Sequence, residues 1–312
     1  IHFDAALLPE GWARDTTLTV QDGRIAAVET GVPAPPGADV HAIGVPGLSN
    51  LHSHAFQRAI AGRAERRGPG EDSFWSWRDV MYRALGVMTP EEVEAITALA
   101  YVEMLESGFT RVGEFHYLHH APDGAPYDEP AEMAFRVVAA AAATGIRLTL
   151  LPVFYAHAGF GGLSPTPGQR RFASSLDGFA RLLEGSARAV APLDGAALGV
   201  APHSLRAVTP EELAAVAAIR PGHPVHIHAA EQTREVEDCL AWSGARPVQW
   251  LLDHAGIDRH WCLIHATHML PEETARLAHS GATAGLCPVT EANLGDGVFD
   301  AEGWQAAGGT WG

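Results

Sequence analysis

Short apolar segments alternate with longer amphipathic ones from residue 44 to the end of the sequence. The apolar segments have the length and composition of buried strands, and the stretches between them have the periodicity of helices. The predicted strands are 45–51, 110–114, 147–153, 197–202, 225–228, 262–264 and 283–286. Alternation of this kind predicts an α/β fold with a parallel sheet, and seven repeats favour a TIM-type (β/α)8 barrel over an open doubly wound sheet.

The stretches between the strands contain signals for helix ends. Thr89 and Thr209 each precede a Pro and have a Glu three residues later, which is the pattern of a capping box followed by Pro in the first turn. Gly108, Gly145 and Gly281 follow helical stretches, as C-terminal caps do. These signals support the predicted boundaries of the helices.

The first 45 residues have a different pattern. They predict short strands at 17–20 and 24–28, joined by a turn at Asp22–Gly23, before a segment rich in Pro and Gly. We therefore expect two parts: a small β module over residues 1–45 and a barrel domain over residues 46–312.

Composition narrows the classes of function. The chain has 312 residues, a formal charge of −16, and no apolar run long enough to span a bilayer. This charge argues against nucleic acid or an anionic membrane as a partner. The start of the sequence lacks the pattern of a secretion signal, and three cysteines without CxxC spacing fit reduced thiols, so we expect a cytoplasmic protein.

Polar residues at the strand ends point to chemistry. The sequence has 17 histidines, and many stand where a predicted strand ends. In a parallel barrel these positions converge on the carboxyl face, where active sites form. The strand-end residues are His52, His54, Glu114, His116, Tyr155, His157, His203, His228, His265 and Cys287.

A metal site is the chemistry that this pattern favours. His52 and His54 form an HxH pair, and the period of two in a strand turns both imidazoles to one side. His228, from another strand, would give three nitrogen ligands and leave a position for water. Glu231, three residues later, could then move a proton, and His265 could polarise the reacting group or assist that transfer. The alternatives are solvent-facing histidines and a carboxylate at a helix start.

The remaining histidines have less specific positions. His226 has the parity of His228 but a poorer spacing to Glu231, so we expect it to lie behind the ligands, and His268 is expected to be structural. We expect ordinary surface or loop positions for the others, which are His119, His120, His223, His254 and His260.

Six segments, in order, resemble the formimidoylglutamate deiminase family of the amidohydrolase superfamily. They are VPGLSNLHSHAFQRA, VGEFHYLHH, GVAPHSLRAV, VHIHAAEQ, LIHATHM and GLCPVTEANLGDG, and they extend over almost the whole chain. The HxH pair is typical of the whole superfamily. Three segments are more specific than the HxH pair, and they favour this family over guanine, cytosine or S-adenosylhomocysteine deaminases. These segments are FWSWR, EFHYLHH and PHSLRAV.

The resemblance implies roles for ten residues and one zinc ion per chain, although imidazole ligands also suit other divalent metals. Zinc ligands would be His52, His54 and His228, and the acid/base pair would be Glu231 and His265. The substrate pocket would be lined by Gln57, Arg78, Tyr117, His203 and Arg206. The implied reaction is the hydrolytic deamination of N-formimidoyl-L-glutamate, a step of histidine degradation.

The implied substrate is a small dianion, which suits the two arginines. Arg206 could offer two hydrogen bonds to a carboxylate, and Arg78 would come from a loop whose aromatic residues exclude water. Each arginine could instead be a surface or salt-bridging residue. We expect a homodimer, the common default for oligomers of soluble proteins.

The resemblance also implies a strand-8 aspartate and further strands beyond Gly312, so we expect this chain to lack the eighth strand and the C-terminal part. Two alternatives stay open: a related deaminase of a purine, pyrimidine or pterin, and a non-catalytic metal-binding fragment.

Overall fold

A computed structural model of the protein describes residues 1–64 and 74–312, apart from the side chains of residues 74–76. The chain divides into two compact units, Ile1–Leu48 and Ser49–Gly312. Within the described residues, no helix is both long and apolar enough to cross a membrane.

The first unit contains one four-stranded sheet. Its strands are β1 (His2–Leu8), β2 (Gly11–Gln21), β3 (Arg24–Glu29) and β4 (Val40–Gly44), in the order β3-β2-β1-β4. A two-residue turn joins β2 to β3, and Asp22 and Gly23 both have positive φ angles, of 51° and 71°. This geometry matches the right-handed twist of a hairpin, and it confirms the predicted turn.

The second unit contains parallel strands. They are β5 (Leu48–Ser53), β6 (Phe109–His116), β7 (Arg147–Phe154), β8 (Ala197–Leu198), β9 (Ala201–Pro202), β10 (Val225–Ala229), β11 (Trp261–His265), β12 (Thr283–Gly285) and β13 (Thr310–Trp311). One sheet has the order β5-β6-β7-β8, with β9 also on β7, and the other has the order β10-β11-β12-β13. Isolated parallel bridges from Val200 to Val225 and from Ser204 to His228 connect the two sheets.

Helices follow the strands of this unit. They are α1 (Phe74–Leu85), α2 (Pro90–Glu106), α3 (Glu132–Thr144), α4 (Leu176–Val190), α5 (Pro210–Ile219), α6 (Thr233–Ser243), α7 (Pro247–His254), α8 (Pro271–Ser280), α9 (Pro288–Leu294) and α10 (Ala301–Ala306). The capping boxes predicted at Thr89 and Thr209 are confirmed. Each Thr hydroxyl accepts a hydrogen bond from the amide of the Glu three residues later, and the carboxylate of that Glu accepts one from the Thr amide. Gly145 and Gly281 end α3 and α8 in the left-handed conformation, also as predicted.

Several strand boundaries differ from the prediction, and two of the differences have a local cause. β5 begins at Leu48 and not at residue 45, because Pro46 and Gly47 interrupt regular strand pairing. The predicted strand 197–202 is split into β8 and β9 at Gly199, where a Cβ atom would lie 2.4 Å from the Pro224 carbonyl oxygen. Close approach of the next backbone therefore requires glycine at this position.

Burial explains why the central strands are nearly continuous apolar runs. Every residue of β10 and β11 is buried, as expected for parallel strands covered on both faces. The polar exceptions are His226, within β10, and the two histidines at the carboxyl ends, His228 and His265. These buried strands therefore fix the positions of the histidines at their carboxyl ends.

Candidate active site

The carboxyl ends of the parallel strands bring the predicted site residues to one cavity. His52 lies on β5, His228 on β10 and His265 on β11, while His203 directly follows β9. The cavity is lined by all ten residues predicted from the sequence, which are His52, His54, Gln57, Arg78, Tyr117, His203, Arg206, His228, Glu231 and His265.

Three imidazoles converge in this cavity. The Nε2 atom of His52 lies 3.0 Å from that of His54 and 3.1 Å from that of His228. His54 donates its Nδ1 hydrogen to the Phe115 carbonyl oxygen at 2.9 Å, and His228 donates to the His203 carbonyl oxygen at 3.0 Å. These bonds fix the tautomer, so that the Nε2 lone pairs of both rings face the point where the three rings meet.

This donor set fits a metal ion. Zinc–nitrogen bonds of about 2.0–2.1 Å place tetrahedral ligand atoms roughly 3.3 Å apart, close to the nitrogen separations seen here. Burial, followed by the neighbouring imidazoles, lowers the pKa of His52 and of His228 well below its usual range. Burial also lowers the pKa of His54 to about 4. Neutral imidazoles are the form that binds a metal.

Glu231 and His265 lie beside the three imidazoles. Both are buried, and Glu231 Oε1 lies 3.5 Å from His265 Nε2. The His265 ring stacks on the His228 ring, with centroids 5.5 Å apart. Burial alone would lower the pKa of His265, but the carboxylates of Glu231 and Glu291 outweigh it and raise that pKa. The pair can therefore exchange a proton with a reactant in the cavity.

The backbone at these two strand ends is strained. Ala230, His265 and Ala266 have positive φ angles of 51°, 68° and 47°. Each left-handed non-glycine residue costs about 1–2 kcal/mol. The strain is held in place because Ala266 donates to the Ala229 carbonyl oxygen at 3.0 Å, and the buried Glu235 carboxylate accepts the Ala230 and Glu231 amides.

The polar groups farther from the imidazoles face the same cavity. Gln57 donates to the Tyr117 hydroxyl at 2.8 Å. Arg206 lies in the turn after β9, and although burial disfavours its charge, Glu235 and Glu231 raise the pKa of its guanidinium. Arg78 lies above the Tyr82 ring at 5.4 Å. The cavity thus holds two arginines in addition to the imidazoles.

The predicted environment of Arg78 was wrong. Arg78 belongs to α1 (Phe74–Leu85) and not to a loop. Met81 and Leu85 are buried at helical spacing on the same element. Of the aromatic residues expected to exclude water, Trp77 lines the cavity, whereas the side chains of residues 74 and 75 lie outside the described residues.

Several strand-end residues do not line the cavity. The Glu114 carboxylate accepts the Ala55 amide and the Tyr101 hydroxyl, and burial raises its pKa to about 7. His116 is buried beside His119. His157 pairs with Glu212 at 2.9 Å. These residues contact the surrounding scaffold and not the cavity. The prediction that the polar residues at the strand ends converge on the active site was therefore too broad.

His119 was predicted at a surface or loop position; it lies in the loop after β6, but not at the surface. His119 is fully buried and donates to the Val153 carbonyl oxygen at 2.9 Å, while His120 is partly buried and donates to the Ala173 carbonyl oxygen. His226 lies buried behind the site with no hydrogen bond at Nδ1 among the described residues.

Sequence reasoning missed several residues of the site. Glu291 accepts a hydrogen bond from His265 Nδ1, Gln232 donates to Asp296, and Gln169 donates to the Tyr155 hydroxyl. The residues that line the cavity without a predicted role are Ser53, Met81, Tyr82, Tyr155, Phe172, Cys287, Thr290 and Leu294. The only available signal was the segment GLCPVTEANLGDG, whose acidic residues follow a strand end.

Comparison with known proteins gives matches along the whole chain. Residues 43–309 match the family described as "Amidohydrolase family", and residues 1–42 match "Formimidoylglutamate deiminase HutF, N-terminal domain". A formimidoylglutamate deiminase of Pseudomonas aeruginosa is 51% identical over 100% of this chain and 69% of its own length. An 8-oxoguanine deaminase of the same organism is 30% identical over 93% of the chain and 64% of its length.

Solved structures give the same fold. An amidohydrolase from Brucella melitensis matches with a TM-score of 0.98 and 59% identity, over 100% of this chain and 70% of the other. An adenosine deaminase from Xanthomonas campestris with bound zinc matches with a TM-score of 0.77 and 23% identity, over 100% of this chain and 68% of the other.

Proposed function

The chain belongs to the amidohydrolase family and, within it, to the formimidoylglutamate deiminases, and we propose that it converts N-formimidoyl-L-glutamate and water to N-formyl-L-glutamate and ammonia. One observation carries the proposal. A single cavity contains three converging imidazoles, a carboxylate–imidazole pair and two arginines, in a chain 51% identical to a formimidoylglutamate deiminase.

Amidohydrolases are metal-dependent, and His52, His54 and His228 would hold one zinc ion per chain. When bound, zinc supplies Lewis-acid activation of water near neutral pH. The hydrogen bonds from two of these rings to backbone carbonyl oxygens support the assignment, because they hold the ring nitrogens in the form that coordinates a metal.

Glu231 and His265 would move the protons. Water adds to the formimidoyl carbon and forms a C–O bond, and Glu231 accepts the proton that the water loses. Because the amidine is protonated near neutral pH, this addition leaves a hydroxyl and an amino group on the carbon. Glu231 then delivers its proton to the amino nitrogen, the hydroxyl proton passes back to Glu231 as the C–N bond breaks and the formyl C=O bond forms, and ammonia leaves. Glu231 returns to its ionised form by releasing the last proton to solvent. His265 Nε2 faces the same point and would accept a hydrogen bond from the attacking water, which assists its deprotonation. The 3.5 Å separation of Glu231 and His265 lets both act on one carbon.

The remaining five residues would bind the substrate. Arg206 and Arg78 would each pair with a carboxylate of the glutamate part, and Gln57, Tyr117 and His203 would orient the formimidoyl end. Local arginines are necessary because the chain has a formal charge of −16, which repels a dianion at long range. A planar neutral nucleobase would need no such pair of cations.

We propose that the parallel strands of residues 46–312 form a (β/α)8-type barrel, in which β13 is the start of the eighth strand that was expected to be missing, and that residues 1–45 form a separate β module. The parallel pairing of β13 with β12, and the position of Gly312 against the Leu51 side chain of β5, support closure. A cytoplasmic homodimer without nucleic-acid or membrane partners completes the proposal, and is supported by the acidic charge and the three free cysteines.

The test is ammonia release from N-formimidoyl-L-glutamate by the zinc-supplied protein, with guanine, cytosine and 8-oxoguanine as comparison substrates. Release from the formimidoyl compound alone is expected. Arg206→Gln should raise KM about 10- to 100-fold, the loss typical of one charged hydrogen-bonding group. Arg181→Gln, an exposed control on α4, should leave KM unchanged. Release from a nucleobase instead, or an unchanged KM in Arg206→Gln, would overturn the substrate assignment.

A further inference from the structure

Glu291 is a buried carboxylate placed directly behind the proposed proton-transfer pair. It lies on α9 and is 5% exposed. Its Oε1 atom accepts hydrogen bonds from His265 Nδ1 at 3.1 Å and from the Cys287 amide at 2.9 Å. Glu291 does not line the cavity, so a substrate in the cavity meets His265 and not the carboxylate behind it.

The local backbone holds this carboxylate in place. The Glu291 amide donates to the Cys287 carbonyl oxygen at 2.9 Å, and the Asp296 amide donates to the Glu291 carbonyl oxygen at 2.9 Å. The side chain therefore reaches back over one turn to the start of its own helix, and its other hydrogen bond within the described part of the chain is to the imidazole. Because both ends of the glutamate are fixed, the direction of the hydrogen bond to His265 is fixed as well.

His265 needs such a partner. Its backbone is in the left-handed region, with φ of 68°, and its ring packs parallel to the His228 ring at an interplanar angle of 15°. Stacking restricts the plane of the ring but does not choose which nitrogen carries the hydrogen. A carboxylate at Nδ1 makes that choice, because it accepts and cannot donate when ionised.

We infer that Glu291 is a positioning residue for the deamination reaction. It keeps the hydrogen of neutral His265 on Nδ1 and orients the ring, so that Nε2 points into the cavity towards Glu231 and the reacting carbon. The inference rests on the proposed function for its catalytic meaning. The tautomer and orientation of His265 are properties of the folded protein, and can be measured without turnover.

A purely structural role is the competing explanation, since Glu291 also caps α9. Glu273 offers a matched comparison. It is likewise buried, at 4% exposed, and accepts the Leu270 and Gln249 amides at the start of α8 and an Arg246 hydrogen, but it touches no group in the cavity. A substitution at either position removes a buried carboxylate that caps a helix. Of the two residues, only Glu291 contacts an imidazole that lines the cavity.

The experiment compares Glu291→Ala, Glu291→Gln and Glu273→Gln in the zinc-loaded protein. Steady-state kinetics of ammonia release separates kcat from KM, elemental analysis gives the metal content, and 1H–15N NMR of histidine side chains reports which nitrogen carries the hydrogen. The His265 signals are assigned by their loss in His265→Asn.

Three results are expected together. Glu291→Gln lowers kcat about 10- to 100-fold, the usual effect of removing a partner behind a functional histidine, and Glu291→Ala lowers it further. KM changes less than about threefold, because the carboxylate is outside the cavity, and metal content is unchanged. Glu273→Gln loses thermal stability but keeps kcat. The NMR spectrum shows the Nδ1–H form of His265 in the wild type, and a mixture of forms in Glu291→Ala.

Equal kcat values for Glu291→Ala and Glu273→Gln would overturn the inference, as would an Nε2–H form of His265 in the wild type. Loss of a metal equivalent in Glu291→Ala would also overturn it, since Glu291 would then be a ligand. If the wild type released no ammonia from the formimidoyl substrate, the proposed function would fail, while the NMR result would still decide the positioning role.

Discussion

Replacing Glu231 by Gln tests the mechanism most directly, because the change removes the proton carrier and keeps the shape. Glu231 is 6% exposed, and its carboxylate lies 3.5 Å from His265 Nε2, inside the cavity. A positioned general acid or base contributes about 10²- to 10⁴-fold in rate. We therefore expect kcat of Glu231→Gln to fall by about two to four decades, or roughly 3–5 kcal/mol of transition-state stabilisation.

The structure also predicts what should not change. Glu231 is not one of the three proposed zinc ligands, so the zinc content of the variant should match that of the wild type. Burial and then Glu231 raise the pKa of Asp296 to about 7, which shows that the charge of Glu231 disfavours ionisation of its neighbour. Removal of that charge should therefore leave Tm unchanged or slightly higher. The variant should bind the substrate without turning it over.

The assay is ammonia release at saturating substrate, with calorimetry for binding and elemental analysis for zinc. Glu237→Gln is the control, because Glu237 is an exposed carboxylate on α6, the helix that begins two residues after Glu231. A kcat of Glu231→Gln within threefold of the wild type would refute the role of Glu231 in proton transfer. A large loss of zinc in this variant would instead make Glu231 part of the metal site.

Two further predictions concern the metal and the scaffold. Removal of zinc by a chelator should abolish ammonia release and lower Tm by about 5–10 °C relative to protein with zinc at 100 times Kd, since such binding adds about 2.7 kcal/mol to stability. About one equivalent of zinc should restore both, and recovery without added metal would contradict the assignment. Gly113→Ala should destabilise the fold by about 1–3 kcal/mol, because the added Cβ would lie 2.6 Å from the Leu51 carbonyl oxygen of β5. Gly86→Ala is its control, since a Cβ there would meet atoms at 3.4 Å, and equal urea midpoints for the two variants would contradict the prediction.

Local patterns were sufficient to predict the parallel strands and the helix caps. Capping depends on residues three apart, so Thr89 and Thr209 could be identified without any tertiary information. The period of two in a strand likewise placed His52 and His54 on the same side, and their Nε2 atoms lie 3.0 Å apart. Sequence reasoning works where the relevant distance is set by one element.

The incorrect predictions concern residues whose environment depends on tertiary packing. His119 follows a strand end, where loops usually meet solvent, but the chain folds over it and its ring bonds to a carbonyl oxygen 34 residues away. Arg78 was assigned to a loop because aromatic residues dominate its segment. The buried Met81 and Leu85 at helical spacing, which the sequence does contain, were the better signal.

The partner of His265 is the clearest case of information absent from a single sequence. Glu291 is 26 residues farther along the chain, and it reaches the imidazole only because β12 pairs beside β11 and α9 begins directly above them. No local spacing connects the two residues. Their contact depends on the register of two parallel strands, and on the strained His265 backbone that turns the ring towards α9.

Strain and hydrogen bonding therefore have a common function in this site. The left-handed residues stand at the ends of β10 and β11, the two strands that carry the proposed proton-transfer pair, and the Ala266 amide connects those ends through the Ala229 carbonyl oxygen. Strain of this kind persists only where the surrounding structure over-determines it. Here the buried carboxylates of Glu235 and Glu291 do so, one by holding the backbone before Glu231 and the other by holding the His265 ring. The relative position of Glu231 and His265 is thus set by strand register and by two carboxylates that do not line the cavity.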